Sequence, residues 1–195
     1  MSTLTYYNNN AYEYFDTTKM ISLDNLYSIF LNYITTKGKI LDFGCGSGRD
    51  SKYFKDKGYD VYLLDGSINL ANIVETELGL KVKVQDFNDF DEKDKYDGVW
   101  ACASLLHVKK ENISNIILKI KNSIHDDGII YISMKDGVGE EIDNFGRYYN
   151  YVNEKEFEEL LKPLHLKVDK YIKTNQRKDD SKNIIWHNFF IKKIL

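Results

Sequence analysis

One stretch of twelve residues decides the fold: Lys39-Ile40-Leu41-Asp42-Phe43-Gly44-Cys45-Gly46-Ser47-Gly48-Arg49-Asp50. It begins as an apolar run, breaks into three glycines at alternate positions and resumes as a helical pattern, which predicts a strand, a tight loop and a helix. Glycine accepts positive φ angles and has no Cβ, so the backbone of such a loop can pass very close to a bound molecule. In an open α/β sheet, a glycine-rich turn after the first strand is the usual ligand site. The stretch therefore predicts an α/β fold with a small ligand on this loop.

The composition narrows the classes of protein. The chain has 195 residues, 43% of them hydrophobic and 29% charged, which suits a single domain over residues 1–195. A net charge of -3 argues against a protein that binds nucleic acid through its phosphates. The two cysteines, Cys45 and Cys102, give neither a disulfide framework nor a metal-binding spacing, so we expect a reduced cytoplasmic protein without a metal site. The polar segment Met1–Asn10 predicts neither export nor membrane insertion.

Hydrophobic periodicity predicts helices and strands along the whole chain. Residues 1–38 form a helical cap, with a weak helix at Tyr6–Asp16 and an amphipathic helix at Leu23–Ile34 that Ser22 caps. Five strands that alternate with helices follow, and a hairpin closes the chain. The predicted strands are Lys39–Phe43, Asp60–Leu64, Leu80–Val84, Gly98–Ala103, Ile129–Met134, Leu166–Lys173 and Ile184–Lys192. The third strand alternates as at a sheet edge, and the fourth is apolar throughout, as at a sheet centre.

The connections carry their own signals. Ser67 and Gly79 predict the two ends of a helix at Ile68–Leu78, and Asn153 predicts the start of the last helix. An apolar face from Ile113 to Ile124 predicts another helix before a turn at Asp126–Gly128. Residues 135–152 show no periodicity and are predicted as a loop over the active face, and the polar stretch Asn175–Asn183 joins the two strands of the hairpin.

Two cofactor classes compete for the glycine loop. Dinucleotide sites use the pattern G-x-G-x-x-G, whereas Gly44, Gly46 and Gly48 follow G-x-G-x-G, and Arg49 stands where the third dinucleotide glycine would fall. This spacing disfavours a dinucleotide. Asp65, at the end of the second strand, suits the ribose hydroxyls of a nucleoside in either class.

Five ordered segments resemble the motifs of one family, the class I S-adenosylmethionine-dependent methyltransferases. The segments are Ile40–Gly48, Val61–Asp65, Val84–Phe87, Tyr96–His107 and Gly128–Met134. Gly46–Ser51 and Lys57–Val61 also resemble the small tellurite-resistance-type methyltransferases. The resemblance implies a Rossmann-like, seven-stranded, mostly parallel sheet with a C-terminal antiparallel hairpin and helices on both faces. It also implies S-adenosylmethionine as the cofactor and S-adenosylhomocysteine as its product.

The same resemblance implies roles for individual residues. Gly44 and Gly46 would face the methionine part of the cofactor, Asp65 the ribose, and Asp86 with the Phe87 N–H the adenine. Further residues expected to bind the cofactor are Ala101 and Cys102 through backbone carbonyls, Leu105 by packing, and Asp42, Cys45, Arg49, Gly66 and Ser67 beside the two loops. Asp42 could instead cap the glycine loop through backbone N–H groups, and Cys45 could be present only because it is small.

The acceptor side is less clearly marked. His107, at the mouth of the predicted site, is either a general base or a structural histidine. Tyr7 and Tyr14, with Tyr6, either cover the bound molecules or pack the N-terminal helices. Arg147, Tyr148 and Tyr149 form either a substrate-facing lid or an ordinary anchored loop.

The reaction and the acceptor follow from these features. Methyl transfer from a sulfonium is an in-line displacement, which needs alignment and exclusion of water, and needs a base only if the acceptor starts protonated. The only proline, Pro163, rules out the proline-bearing motifs common in nucleic-acid base methyltransferases. We therefore expect a small-molecule acceptor and a monomer or homodimer. The alternatives are an RNA or protein acceptor, or a non-catalytic module that binds S-adenosylmethionine.

Overall fold

A computed structural model describes residues 2–178 and 182–194 of the chain. Its nine strands are β1 (Lys39–Phe43), β2 (Asp60–Asp65), β3 (Val82–Val84), β4 (Tyr96–Ala101), β5 (Ile124–Lys135), β6 (Glu140–Ile142), β7 (Tyr148–Asn150), β8 (Leu166–Lys178) and β9 (Lys182–Lys193). Its seven α-helices are α1 (Thr3–Asn9), α2 (Ala11–Thr18), α3 (Asp24–Leu31), α4 (Arg49–Asp56), α5 (Ile68–Leu78), α6 (Lys110–Ser123) and α7 (Glu154–Leu161). None of these described helices has the length and apolar character needed to cross a bilayer.

Seven of the strands form one sheet in the order β3-β2-β1-β4-β5-β9-β8. The first five run parallel, and β9 runs antiparallel to both β5 and β8. The predicted Rossmann-like sheet with a C-terminal hairpin is therefore confirmed. Strand order reverses between β1 and β4, so the loops after these two strands diverge and leave a crevice at their carboxyl ends.

The two faces of the sheet carry separate apolar cores, because successive residues of a strand point to opposite sides. On one face, Ile40 and Trp100 pack against α3 and α4, and the Trp100 ring stacks on Tyr131 at 3.7 Å between centroids. On the other face, Leu41 and Val99 pack against α6 and α7. The predicted helices on both faces are thus present.

Local signals set the ends of several elements. Ser67 Oγ accepts a hydrogen bond from the Leu70 N–H at 3.2 Å, and Gly79 ends α5 with φ of 65°, both as predicted. Asn153 Oδ1 accepts from the Glu156 N–H at 2.9 Å and caps α7, also as predicted. The predicted Ser22 cap is wrong, because α3 begins one residue later with Leu23 as its N-cap.

The structure differs from the predicted elements in further places. The one helix predicted at Tyr6–Asp16 is two helices, α1 and α2, which meet at Asn10. Ile124 opens β5 instead of ending α6, and the predicted turn at Asp126–Gly128 lies inside β5 where its register against β4 shifts. Residues 135–152 contain an antiparallel hairpin, β6 with β7, in place of a structureless loop. Three-residue strands are too short to produce a readable period, which explains the missed hairpin. Strands β8 and β9 extend beyond their predicted ends, and residues 179–181 of the predicted connection lie outside the described residues.

Candidate functional site

A cavity of about 200 Å³ opens at the carboxyl ends of β1, β2 and β4. The glycine loop and Asp65 form one side of it, Asp86 and Phe87 a second side, and residues 102–104 with His107 a third. Helices α1 and α2 cover it with Thr3, Leu4, Tyr7 and Tyr14. The cavity therefore lies beside the predicted glycine loop, beneath α1 and α2.

The glycine loop borders the cavity with two residues that have no side chain, Gly44 and Gly46. Gly44 has φ of 84°, and a Cβ built there would lie 2.5 Å from Ser104 Cβ and 3.0 Å from Phe87 Cζ. Gly46 has φ of 52°, and its Cβ would lie 3.1 Å from the Tyr14 ring. Alanine at either position would be strained in its backbone and would fill the space between the loop and the opposite wall.

Asp65 joins the two loops that follow β1 and β2. Its Oδ2 accepts from the Gly46 N–H at 2.8 Å, and its Oδ1 accepts from the Ser67 N–H at 2.8 Å. Burial raises the pKa of the Asp65 carboxyl, and these N–H donors oppose that rise. Each carboxylate oxygen has a second lone pair, so the group can accept further hydrogen bonds from a ligand in the cavity.

Asp86 and Phe87 form the polar and aromatic parts of the second wall. Asp86 Oδ1 accepts from the N–H and the side-chain amide of Asn88, both at 2.8 Å. Its Oδ2 has no hydrogen-bond partner in the described part of the chain. The Phe87 ring stacks on Phe43, with centroids 4.4 Å apart. This wall thus presents one unused carboxylate oxygen beside a fixed aromatic ring.

The turn after β4 supplies the third wall. Ala103 takes a positive φ of 51° and donates its N–H to Ser133 Oγ at 2.7 Å. Ser104 Oγ is buried and has no hydrogen-bond partner among the residues that the structure describes. A buried hydroxyl without a partner is costly, so a ligand that bonds to it would be stabilised. Of the predicted residues here, Cys102 lines the cavity, whereas Ala101 and Leu105 have fully buried side chains in the core.

The structure does not bring the side chains of Asp42, Cys45 and Arg49 to the cavity wall. Asp42 is buried and accepts from Ser51 Oγ at 2.6 Å, and burial, with nearby Asp50, raises its pKa. Cys45 packs in an apolar cluster between β2 and α5, where burial raises the pKa of its thiol. Arg49 forms a two-point ion pair with Asp50, with Nε to Oδ1 at 2.6 Å and Nη2 to Oδ2 at 2.9 Å.

Gly66 and Ser67 lie where α1 contacts the start of α5. Gly66 lies beside Leu4, since a Cβ built on this glycine would be 3.3 Å from Leu4 Cδ1. Ser67 Oγ donates to Asn8 Oδ1 at 2.8 Å, and Asn69 Nδ2 donates to the Asn8 carbonyl at 2.9 Å. Helices α1 and α2 together form a cover over the cavity. The far end of this cover is held by Thr18 Oγ1, which donates to Ser47 Oγ of the glycine loop at 2.9 Å.

His107 is held in one tautomer. Its Nδ1 lies 2.7 Å from the Tyr148 carbonyl oxygen, which can only accept, so Nδ1 carries the hydrogen. Nε2 of the neutral ring is then the acceptor, and Tyr7 Oη donates to it at 2.8 Å. Burial lowers the pKa of His107 to about 4, although the bond to the Tyr148 carbonyl acts in the opposite direction. At neutral pH the ring is therefore uncharged, with its lone pair directed at Tyr7.

The predicted acceptor residues divide into two groups. Tyr7 and Tyr14 line the cavity, whereas Arg147, Tyr148 and Tyr149 lie outside its lining. Arg147 pairs with Asp143 at 2.7 Å and lies over other aromatic rings. Tyr149 is 5% exposed, with its ring 4.9 Å from that of His107. Hairpin β6-β7 therefore contacts the His107 ring through Tyr148 and Tyr149.

Sequence reasoning missed five cavity residues, Thr3, Leu4, Leu70, Ala103 and Ser104. A signal existed for the first two, because Ser2 Oγ accepts from the Thr5 N–H at 3.2 Å and starts α1 at Thr3. The described residues contain no group of three or more side chains that could hold a metal ion.

The matching family and the similar sequences are methyltransferases. Residues 14–170 match the family described as the methyltransferase domain. An uncharacterized methyltransferase of Staphylococcus carnosus (strain TM300) is 30% identical over 148 residues, which is 75% of this chain and 70% of that protein. A second relative is TehB of Haemophilus influenzae (strain ATCC 51907 / DSM 11121 / KW20 / Rd), a probable S-adenosyl-L-methionine-dependent methyltransferase. It is 32% identical over 88 residues, and this match covers 43% of this chain but only 31% of TehB.

A solved structure shares the fold over nearly the whole chain. It is the 1,6-didemethyltoxoflavin-N1-methyltransferase of Burkholderia thailandensis, with bound 1,6-didemethyltoxoflavin and S-adenosylhomocysteine. The two structures superpose with a TM-score of 0.76 over 97% of this chain and 85% of that one, at 19% sequence identity. At this identity the likeness shows a shared fold.

Proposed function

The chain belongs to the class I S-adenosylmethionine-dependent methyltransferases, and on that premise we propose that it methylates a small-molecule acceptor in the cavity beneath α1 and α2. The methyltransferase activity and the cofactor follow from membership of the family. The acceptor class and the residues that serve it are the proposal.

The residues around the cavity fit S-adenosylmethionine. Gly44 leaves a space that a single Cβ would fill, 2.5 Å from Ser104 Cβ, and Ser104 Oγ is buried without a partner among the described residues. We propose that Asp65 accepts from the ribose hydroxyls and Asp86 Oδ2 from the adenine amino group, since both are acceptors with unused lone pairs. Gly44 and Gly46 would border the methionine part. When bound, the cofactor supplies a methyl group on a positively charged sulfur.

The observation that carries the small-molecule proposal is the cover over the cavity. Helices α1 and α2 are hydrogen-bonded to both sides of the site, through Asn8 to the β2 loop, Thr18 to the β1 loop and Tyr7 to His107. A base in a nucleic acid strand or a residue of a folded protein would have to displace these contacts. A small molecule needs only the space beneath them.

The roles of this chain's residues follow from alignment and exclusion of water. The α1-α2 cover would shield the reacting atoms from solvent and hold the acceptor in line. His107 is uncharged at neutral pH and can receive a proton if the acceptor loses one. The small heteroaromatic acceptor named for the Burkholderia thailandensis protein supports this size class. The RNA or protein alternative has no comparable observation in its favour.

Labelled cofactor tests the acceptor class directly. The protein is incubated with S-adenosylmethionine carrying a radioactive methyl group and with a cell extract fractionated by size. We expect label in the small-metabolite fraction. Label confined to RNA or protein fractions would overturn the proposal. A variant with Gly44→Ala, which should not hold the cofactor, gives the background for label transfer.

A further inference from the structure

We propose that the acceptor is an uncharged aromatic compound whose methylated atom carries a proton, and that Tyr7 and His107 receive that proton together. The inference rests on the proposed function, since it concerns the same cavity. It is drawn from three features of that cavity: its ring-lined wall, its lack of cationic groups and one hydrogen-bonded chain.

Rings form the acceptor side of the cavity. The Tyr7 ring meets the Tyr14 ring edge to face, with centroids 5.0 Å apart, and meets the His107 ring in the same way at 5.4 Å. All three residues line the cavity. Aromatic rings prefer such edge-to-face and offset arrangements with one another, so a planar aromatic molecule would continue the existing packing.

The charges around the cavity disfavour an acceptor that carries a carboxylate or phosphate. Among the cavity residues that the structure describes, the only formal charges at neutral pH are the carboxylates of Asp65 and Asp86. The two nearest guanidinium groups are already paired, Arg49 with Asp50 and Arg147 with Asp143. The Lys135 ammonium lies over the Tyr149 ring at 4.0 Å, outside the cavity lining. Among the described residues, no cation of the lining would therefore offset the charge of a buried anion.

A chain of hydrogen bonds leads from the cavity to the backbone of β7. Tyr7 Oη donates to His107 Nε2 at 2.8 Å, and His107 Nδ1 donates to the Tyr148 carbonyl at 2.7 Å. Because Nε2 already accepts from Tyr7, an acceptor molecule reaches the imidazole lone pair through the Tyr7 hydroxyl. Tyr7 would therefore contact the acceptor, and His107 would store the proton.

The proposed step balances. A bond forms between the acceptor atom and the methyl carbon while the bond from that carbon to the sulfonium sulfur breaks. The acceptor's proton passes to Tyr7 Oη, and the original Tyr7 proton passes to His107 Nε2. The sulfur loses its positive charge, and the imidazole gains one, which it gives up when it later releases the proton to solvent.

Calorimetry on the protein saturated with S-adenosylhomocysteine tests the proposal with three matched probes. Naphthol offers a neutral ring with an O–H, hydroxynaphthoate adds a carboxylate, and the methyl ether of naphthol lacks the proton. We expect naphthol to bind at least about tenfold more tightly than hydroxynaphthoate, since a buried unpaired charge is costly. Tyr7→Phe should weaken the binding of naphthol about tenfold, which is the contribution of one hydrogen bond, and should leave the binding of the ether unchanged.

The outcomes separate this proposal from the one before it. Failure of the wild-type protein to bind S-adenosylhomocysteine overturns the proposed function, and this inference with it. Normal binding of S-adenosylhomocysteine, together with equal binding of naphthol and hydroxynaphthoate or with no binding of naphthol, overturns this inference alone. Equal weakening of naphthol and its ether by Tyr7→Phe would mean that Tyr7 only packs the cover, which also contradicts the proposal. Tyr12→Phe, which removes an exposed hydroxyl of α2 outside the cavity lining, is the control and should keep the preference for naphthol over hydroxynaphthoate.

Discussion

Asp65 shows how one residue can serve both the fold and a ligand. The sequence places it at the end of β2 and favours a functional role, because Ser67 is available to cap the next helix. The structure confirms the Ser67 cap but also shows Asp65 bonded to Gly46 and Ser67 backbone N–H groups. The carboxylate thus fixes the loop, and the proposed ribose contact would use its remaining lone pairs.

The first prediction concerns this carboxylate. Asp65→Ala should raise the Kd for S-adenosylmethionine by about 10- to 150-fold, because a hydrogen bond to a charged group contributes about 1.5 to 3 kcal/mol. Isothermal titration calorimetry measures the change. Asp60→Ala, at the exposed start of the same strand, is the matched control and should leave the Kd unaltered. An unchanged Kd for Asp65→Ala would remove Asp65 from the cofactor site.

The second prediction concerns His107 and pH. Its pKa is lowered from about 6.5 to about 4 in the folded protein, so between these values the unfolded chain binds a proton that the folded chain does not. Stability from this residue is therefore complete above about pH 6.5 and is lost as pH falls toward 4, by up to about 3 kcal/mol. Urea denaturation of wild type and His107→Gln at several pH values measures the difference. Wild type should lose its advantage over the variant as pH falls, and parallel curves would contradict a lowered pKa.

Two residues that the sequence singled out, Gly44 and Asp65, line the cavity in the structure. Gly44 and Asp65 could be predicted because a positive φ and a strand-end carboxylate leave a readable signal. Side-chain direction left no such signal, so Cys45 and Leu105 could not be assigned to the core before the structure was known. The direction in which a loop side chain points depends on the exact φ and ψ angles of its neighbours, and the sequence alone does not reveal these angles.

At the scale of elements, the glycine loop gives the third prediction. Gly44→Ala should abolish measurable binding of S-adenosylmethionine, because its Cβ would lie 2.5 Å from Ser104 Cβ. Gly58→Ala is the control, since Gly58 also has a positive φ, of 90°, but nothing lies within 4 Å of its Cβ position. Backbone strain of about 1 to 2 kcal/mol is common to both variants. Calorimetry and thermal unfolding separate that shared strain from loss of binding, and equal binding by the two variants would contradict the close approach at Gly44.

Helix α1 gives the fourth prediction. Asn8 accepts from Ser67 Oγ and the Asn69 N–H through its side chain, so Asn8→Ala should loosen α1 from α5. Hydrogen exchange measured by mass spectrometry should be faster in α1 and unchanged in the central strands. The exposed neighbour Asn9→Ala should leave exchange as in wild type. Similar exchange in both variants would show that other contacts hold the cover in place.

The elements that sequence predicted best have strong local signals. Helix α5 carries a serine cap and a terminal glycine, and β4 is apolar and buried from Gly98 to Ala101 because both of its faces are covered there. Hairpin β6-β7 lacked such a signal, because its strands are three residues long and Ile142 is 70% exposed. Its position is set by tertiary contacts, including the Tyr148 N–H bond to Thr3 Oγ1 at 2.8 Å.

The whole molecule assembles its site from parts that are distant in the chain. Tyr7 and His107 are 100 positions apart, yet they share a hydrogen bond, and α1 contacts the loop after β2 and the hairpin after β5. The sequence predicted the mostly parallel sheet, its C-terminal hairpin and the glycine loop, because each motif is local and the family pattern orders them. It left the acceptor side open, because that side exists only once α1 folds across the sheet.

A crystal structure of the S-adenosylhomocysteine complex tests the central claim most directly. We predict the ribose hydroxyls within hydrogen-bond distance of Asp65, the adenine amino group at Asp86 and the sulfur directed toward the end of the cavity that holds Tyr7 and His107. Electron density for the cofactor outside this cavity, or a sulfur directed away from Tyr7 and His107, would contradict the account.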